Sequence, residues 1–209
     1  MTTFRFLRHA AWLAAGCWVV AMPAAAIADD VEACATTPAE AAIPFCTRAI
    51  ESGRVKGRDL AGVYLNRGLR FDYKGDPDRA IADYDAAIRI EPKNAFAYFN
   101  RGAVYLHKKE FDHAIADYDE TIRLAPKAWQ PLRNRGAAHF GAGQYDRARA
   151  DFEAVLGMDA KSAEGLYGRG VTKLKSGDAA GGNADIAAAK AIKADIAERW
   201  ADDIRIRVE

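Results

Sequence analysis

Residues 80–92 read AIADYDAAIRIEP and residues 114–126 read AIADYDETIRLAP, so nearly the same thirteen residues are written twice, 34 apart. A fixed period of that length constrains the fold more tightly than composition does. It marks a chain of supersecondary units that cannot bury their apolar faces alone and must stack on their neighbours. Alignment on the motif divides the chain into four consecutive units, 61–94, 95–128, 129–162 and 163–196.

Each unit carries two helical runs. In the first, the pattern predicts a helix over about 60–73 with Asp59 as its N-cap, and a second over 77–90. Gly75-Asp76-Pro77 makes the turn between them: glycine accepts a positive φ, and proline opens a helix where its missing N–H costs least. Pro92 and Pro126 close the first two units, whereas Ala160 and Ala194 leave the later exits less sharply defined. Gly68, Gly102, Gly136 and Gly170 recur in the first helix, and Ala80, Ala114, Ala148 and Gly182 in the second. A glycine facing an alanine would let two antiparallel helices approach closely, against the ~1 kcal/mol that glycine costs inside a helix. Three columns of mostly large residues surround that contact: Tyr64, Tyr98, Leu132, Leu166; Phe71, Tyr105, His139, Lys173; and Tyr84, Tyr118, Phe152, Ile186. These are knobs of a helical hairpin core.

The order of aromatic or Leu, Gly, aromatic, Ala, aromatic and Pro is fullest as Tyr98, Gly102, Tyr105, Ala114, Tyr118 and Pro126. It resembles the tetratricopeptide repeat (TPR) family over residues 61–196. The resemblance implies an all-α fold, a right-handed superhelical solenoid of antiparallel helix pairs whose concave groove is lined by the first helix of each unit. The fourth unit departs furthest, with Lys173 for the aromatic and Gly181-Gly182 weakening its second helix. Residues 29–60 are expected to form an N-terminal capping partial repeat, and 197–209 a C-terminal capping helix and tail. There Ile196, Trp200 and Ile204, four apart, make an amphipathic stripe able to cover the exposed face of the last hairpin.

The resemblance also implies a groove that holds a protein or an extended peptide. Asn66, Asn100 and Asn134 form its polar ladder, because a side-chain amide offers donor and acceptor together. Leu65, Phe99, Arg133 and Tyr167 lie beside them, then Leu69, then Leu106 and Phe140, making a largely apolar wall. The alternative is that these apolar residues serve packing only. The Lys-rich clamp by which some TPR domains hold a C-terminal carboxylate is absent, so that activity is not carried over. A second constellation departs from the family, which usually has an apolar residue where Arg67, Arg101, Arg135 and Arg169 stand. Each is accompanied by an acid, Asp83, Asp117, Asp151 or Asp185, predicting structural ion pairs repeated along the stack. The alternative is a solvated face, where such pairs contribute about 0–1 kcal/mol.

Nothing in the chain reads as catalytic. No HExxH, phosphate loop, GxSxG or CxxC occurs, and no cofactor or metal is expected. Residues 1–28 read as a signal peptide: Arg5 and Arg8, the apolar run 10–20, then Ala26-Ile27-Ala28 before Asp29. An uncleaved anchor is the alternative; lipid modification of Cys17 is disfavoured by the apolar sequence that continues past it. The chain has 30 basic and 29 acidic residues, and since the leader holds two of the basic ones, 28 face 29 beyond it. Such balance argues against nucleic acid and against an anionic membrane surface as partners. Cys34 and Cys46 remain as a pair, most simply a disulfide in an oxidising compartment, otherwise two free thiols.

The expected protein is thus an exported, non-catalytic protein–protein interaction scaffold, periplasmic if the source is Gram-negative. Its partner is a protein or peptide, with no stable membrane insertion after the leader is removed. The rivals are a structural component of an envelope assembly that uses its outer face or caps, and an enzyme with an unrecognised site.

Overall fold

The structure, a computed structural model, describes residues 24–204 and the side chains of residues 25–201. Most of the expected leader, with Cys17, and the tail 205–209 lie outside the described residues. Among the described residues there are eleven α-helices and no strand. α1 (Ala24–Thr36) and α2 (Ile43–Glu51) form a leading pair, joined by a 3-10 turn at Ala39–Ala42. Four hairpins follow: α3 (Gly57–Lys74) with α4 (Pro77–Ile90), α5 (Ala95–His107) with α6 (Phe111–Leu124), α7 (Gln130–Gly141) with α8 (Tyr145–Met158), and α9 (Ala163–Lys175) with α10 (Ala179–Ile192). α11 (Ile196–Ile204) ends the described chain.

Local chemistry sets the helix ends. Asp76 caps α4 by accepting from the Arg79 N–H, Asn94 caps α5 through Ala97, and Ser162 caps α9 through Gly165. The turn inside each hairpin needs one left-handed residue, and Gly75, Lys109, Gly143 and Gly177 supply it with φ of 79, 61, 73 and 91°. Lys109 alone does so with a Cβ. Asp59 is not an N-cap: α3 starts at Gly57, whose φ of 54° lets the chain enter the helix earlier, and Asp59 falls in its first turn.

The small-residue columns work differently from the expected Gly-to-Ala contact. A Cβ on Gly68 would stand 2.8 Å from the Tyr84 ring, on Gly102 3.1 Å from Tyr118, and on Gly136 2.9 Å from Phe152. The glycine therefore seats the aromatic knob of the second helix. Only in the fourth unit, where that knob is Ile186, does glycine meet the small column, a Gly170 Cβ lying 2.9 Å from the Gly182 carbonyl oxygen. Tyr84, Tyr118 and Phe152 are completely buried as a result.

At the leading end Cys34 of α1 and Cys46 of α2 form a disulfide with Cα atoms 4.8 Å apart. Beside it Arg48 and buried Asp30 form an ion pair. The leading unit is thus a complete helix pair, its first helix beginning upstream of the expected mature start at Asp29.

Candidate partner-binding groove

Successive units touch through their first helices, α3 with α5, α5 with α7 and α7 with α9, while no comparable contact joins α4, α6, α8 and α10. Helices that approach one another lie on the inside of a curved stack. The first helices therefore form the inner wall and the second helices the outer one.

Across the side of each hairpin runs an arginine clasp. Arg67 donates from Nε and Nη2 to the two carboxylate oxygens of Asp83 at 2.8 and 2.7 Å; Arg101 does so to Asp117 at 2.9 and 2.6 Å. Arg135 bonds Asp151 at 3.0 and 2.6 Å, and Arg169 bonds Asp185 at 2.8 and 2.7 Å. All four aspartates are buried. The third guanidinium nitrogen reaches the preceding unit: Arg67 to Thr47, Arg101 to Asp85, and Arg135 to Asp119. Each clasp thereby ties a unit's two helices together and, in these three, to the unit before. Hydrogen bonds to the acids raise the pKa of Arg101 and Arg135, against the lowering by burial, so both stay cationic. In the fourth unit Lys173, which replaces an aromatic, adds an ammonium 2.9 Å from Asp185.

The asparagine ladder is not uniform. Asn66 and Asn100 are half-buried, but Asn134 is 5 % exposed and donates to the Tyr118 hydroxyl of the preceding unit at 3.3 Å, while accepting from Arg133 Nε at 2.9 Å. Its amide is committed inside the fold. In the next unit both partners change together: Phe152 stands for tyrosine and Gly168 for asparagine. A Cβ at Gly168 would sit 2.4 Å from the Phe152 ring, so its absence opens a slot into which that ring extends.

Burial grades along the wall. Leu65, Leu69, Phe99 and Arg133 are half-buried, whereas Leu106, Phe140 and Tyr167 are 2, 7 and 8 % exposed. The reason is α11. Expected to cover the last hairpin, it packs chiefly on α9 of that hairpin and makes equally small contacts with α10 and with α5. Trp200, 1 % exposed, places its ring 5.6 Å from Tyr167 and 5.4 Å from Phe152, and Ile196 is equally buried. These residues join Leu106 and Phe140 in one apolar cluster. The sequence-predicted groove is therefore divided: Leu65, Asn66, Leu69, Phe99 and Asn100 line its open part, and Leu106, Asn134, Phe140 and Tyr167 lie within the closed part.

Sequence reasoning missed the previous-unit acids, although Asp85 and Asp119 are themselves 34 apart. It also missed the inward seat of α11, whose sequence trace is the coupled change to Phe152 and Gly168. Among the described residues no group of His, Cys, Asp and Glu could hold a metal ion, and no helix is long and apolar enough to cross a membrane.

Two family models, both described as tetratricopeptide repeat, match residues 65–128 and 102–165. The chain is a tetratricopeptide-repeat protein, an all-α TPR superhelix. It is similar to solved structures of MamA. One, the MamA RS-1 ArsTM double mutant, has 17 % identity and a TM-score of 0.72 over 87 % of this chain and 98 % of that one. Another MamA crystal structure has 15 % identity and a TM-score of 0.71 over 83 % and 94 %. The first TPR of Spaghetti (RPAP3) bound to HSP90 peptide SRMEEVD has 24 % identity and a TM-score of 0.56 over 58 % of this chain and 97 % of that one. These likenesses concern the fold. No curated protein matches the sequence.

Proposed function

We propose that the chain is a non-catalytic protein-interaction scaffold that holds a segment of a protein partner on the open, N-terminal part of its inner wall. One observation carries this reading: Leu65, Leu69 and Phe99 stand only half-buried beside Asn66 and Asn100 on α3 and α5, while at the equivalent positions farther along Asn134, Ala137, Tyr167, Gly168 and Val171 are buried. Apolar side chains interleaved with amides suit a segment that buries side chains and still needs its peptide groups bonded. A peptide bound to the TPR of Spaghetti agrees with this use of the fold. The partner is captured from an extract of the source cell with the purified chain as bait. Phe99→Ala with Asn100→Ala abolishes that capture if the inner wall is the site. Equal capture by both baits refutes the reading and transfers the interaction to the outer face or ends.

That second reading, a part of a larger assembly, has its own support. Because α11 turns inward, Ala187, Ala188, Ala191 and Ile192 of α10 remain exposed at the end of the stack. The compartment we propose is extracytoplasmic, periplasmic in a Gram-negative cell, on the strength of the leader sequence and of a disulfide that a reducing cytosol would not keep. N-terminal sequencing of the native protein then begins at Asp29; Met1 as the first residue overturns it.

A further inference from the structure

We infer that α11 is a built-in occupant of the inner wall, holding the seat that a tryptophan-anchored amphipathic helix of a partner would take, so that binding there requires α11 to leave. The inference rests on the scaffold reading above and adds to it a second subsite, farther along the same wall, that takes a helix and is regulated by α11.

The repeat itself shows that α11 is out of place. The first helix of a fifth unit would begin at residue 197, 34 beyond Ala163, and Trp200 falls 34 beyond Leu166 in the core-knob column. A helix continuing the stack would pack closely on α10, as α9 does on α8 and α7 on α6. α11 packs chiefly on α9, touches α10 far less than α9 touches α8, and extends along the inner wall to touch α5 as much as it touches α10. The column at Gly68, Gly102, Gly136 and Gly170 continues as Ile204, so the small residue that lets a first helix receive an aromatic knob is missing. The helix lacks the sequence of a fifth repeat and binds as a ligand does, through one side.

Its seat is made for an aromatic side chain. Phe152 reaches the wall through the slot at Gly168, Tyr167 flanks it, and Trp200 meets both rings. Ile196, one turn earlier, is buried with it, while Glu198 and Arg199 face solvent. Two apolar anchors four residues apart on a polar-backed helix are the signature of helix-in-groove recognition. Trp200 is held there by shape and apolar area, its indole N–H being buried without an acceptor among the described residues. A competing helix that presents the same anchors and an acceptor for that N–H would bind better than α11 does.

α11 prevails because it is tethered. The link from α10 is Lys193–Asp195, which gives the helix a high effective concentration at its seat. While α11 is docked for more than nine-tenths of the time, an incoming helix binds at least about tenfold more weakly than to an open wall.

The test uses a fluorescein-labelled synthetic peptide of residues 195–209 as probe, with anisotropy as readout. One variant of the full chain carries about 20 Gly and Ser residues inserted after Ala194, which leaves wall and helix intact and dilutes α11 by about tenfold or more. A second carries Ile196→Ala and Trp200→Ala, its fold checked by circular dichroism. Both variants bind the probe at least about tenfold more tightly than the unmodified chain, and a probe with Trp200→Ala binds neither. Equal affinity for all three proteins, or no binding to the folded linker variant, overturns the proposal. Because the probe is the chain's own segment, such a failure leaves the partner-capture result standing, and failed capture leaves the probe result standing.

Discussion

The Arg101 clasp offers a sharp test of how the stack is held together. Asp117 has a 5 % exposed side chain and accepts two N–H groups from Arg101, itself 19 % exposed; Asp85 of the preceding unit, 37 % exposed, takes the third. Arg101→Ala strands a buried carboxylate, and breaking a buried pair in this way costs about 3–5 kcal/mol. Asp117→Ala leaves the guanidinium its contact with Asp85 and partial access to water, so its cost falls lower, at about 2–4 kcal/mol. Asp85→Ala removes only the outer contact and costs at most about 1 kcal/mol, as does Lys108→Ala, whose pairs with Asp78 and Glu110 are exposed. Urea unfolding of the singles and of the Arg101→Ala, Asp117→Ala double variant measures the coupling. The double variant should cost about 2–3 kcal/mol less than the two singles added, because each single already removes the same contact. An unchanged m-value would show that the stack still unfolds as one unit. Additive singles, or singles no larger than Lys108→Ala, would refute the clasp as a stabilising element.

Three further outcomes follow from single atoms. The Tyr84 hydroxyl is buried with no partner, whereas that of Tyr118 accepts from Asn134. Tyr84→Phe should therefore be neutral or stabilising by up to about 1 kcal/mol, and Tyr118→Phe destabilising by about 1 kcal/mol, on thermal unfolding. Lys109→Gly relieves a side chain held at a φ of 61° and should raise stability by about 0.5–1 kcal/mol, a gain that an unchanged melting temperature would exclude. Burial raises the pKa of the Asp185 carboxyl, but Arg169 and Lys173 lower it more, leaving it below its ordinary 3.8. A depressed carboxyl contributes fully above its unfolded pKa and loses that contribution as pH falls through the folded one. The stability advantage of the native chain over Asp185→Asn should thus hold steady above about pH 5 and shrink below about pH 4.

The hairpins are legible in the chain alone, because their causes are local and repeat. The 34-residue period, Gly75 in the turn and the Asp76-Pro77 start place α4 to the residue. The arginine and aspartate columns were legible for the same reason: a partner found sixteen residues away within one hairpin recurs at the same spacing in every hairpin. Contacts between units left a fainter trace, and the share of Arg101 taken by Asp85 emerges only once the hairpins are stacked. The glycine column was visible, but its role was not. A bare Cα accepts an alanine or an aromatic ring equally well, and only the crossing of the two helices puts Tyr84 against Gly68. α11 marks the limit. Its amphipathic pattern shows that one face must be covered, and an apolar face carries no direction that distinguishes the end of the last hairpin from the inner wall. That choice belongs to the tertiary structure, where Gly168 admits Phe152 and the two rings of Phe152 and Tyr167 leave a place for Trp200.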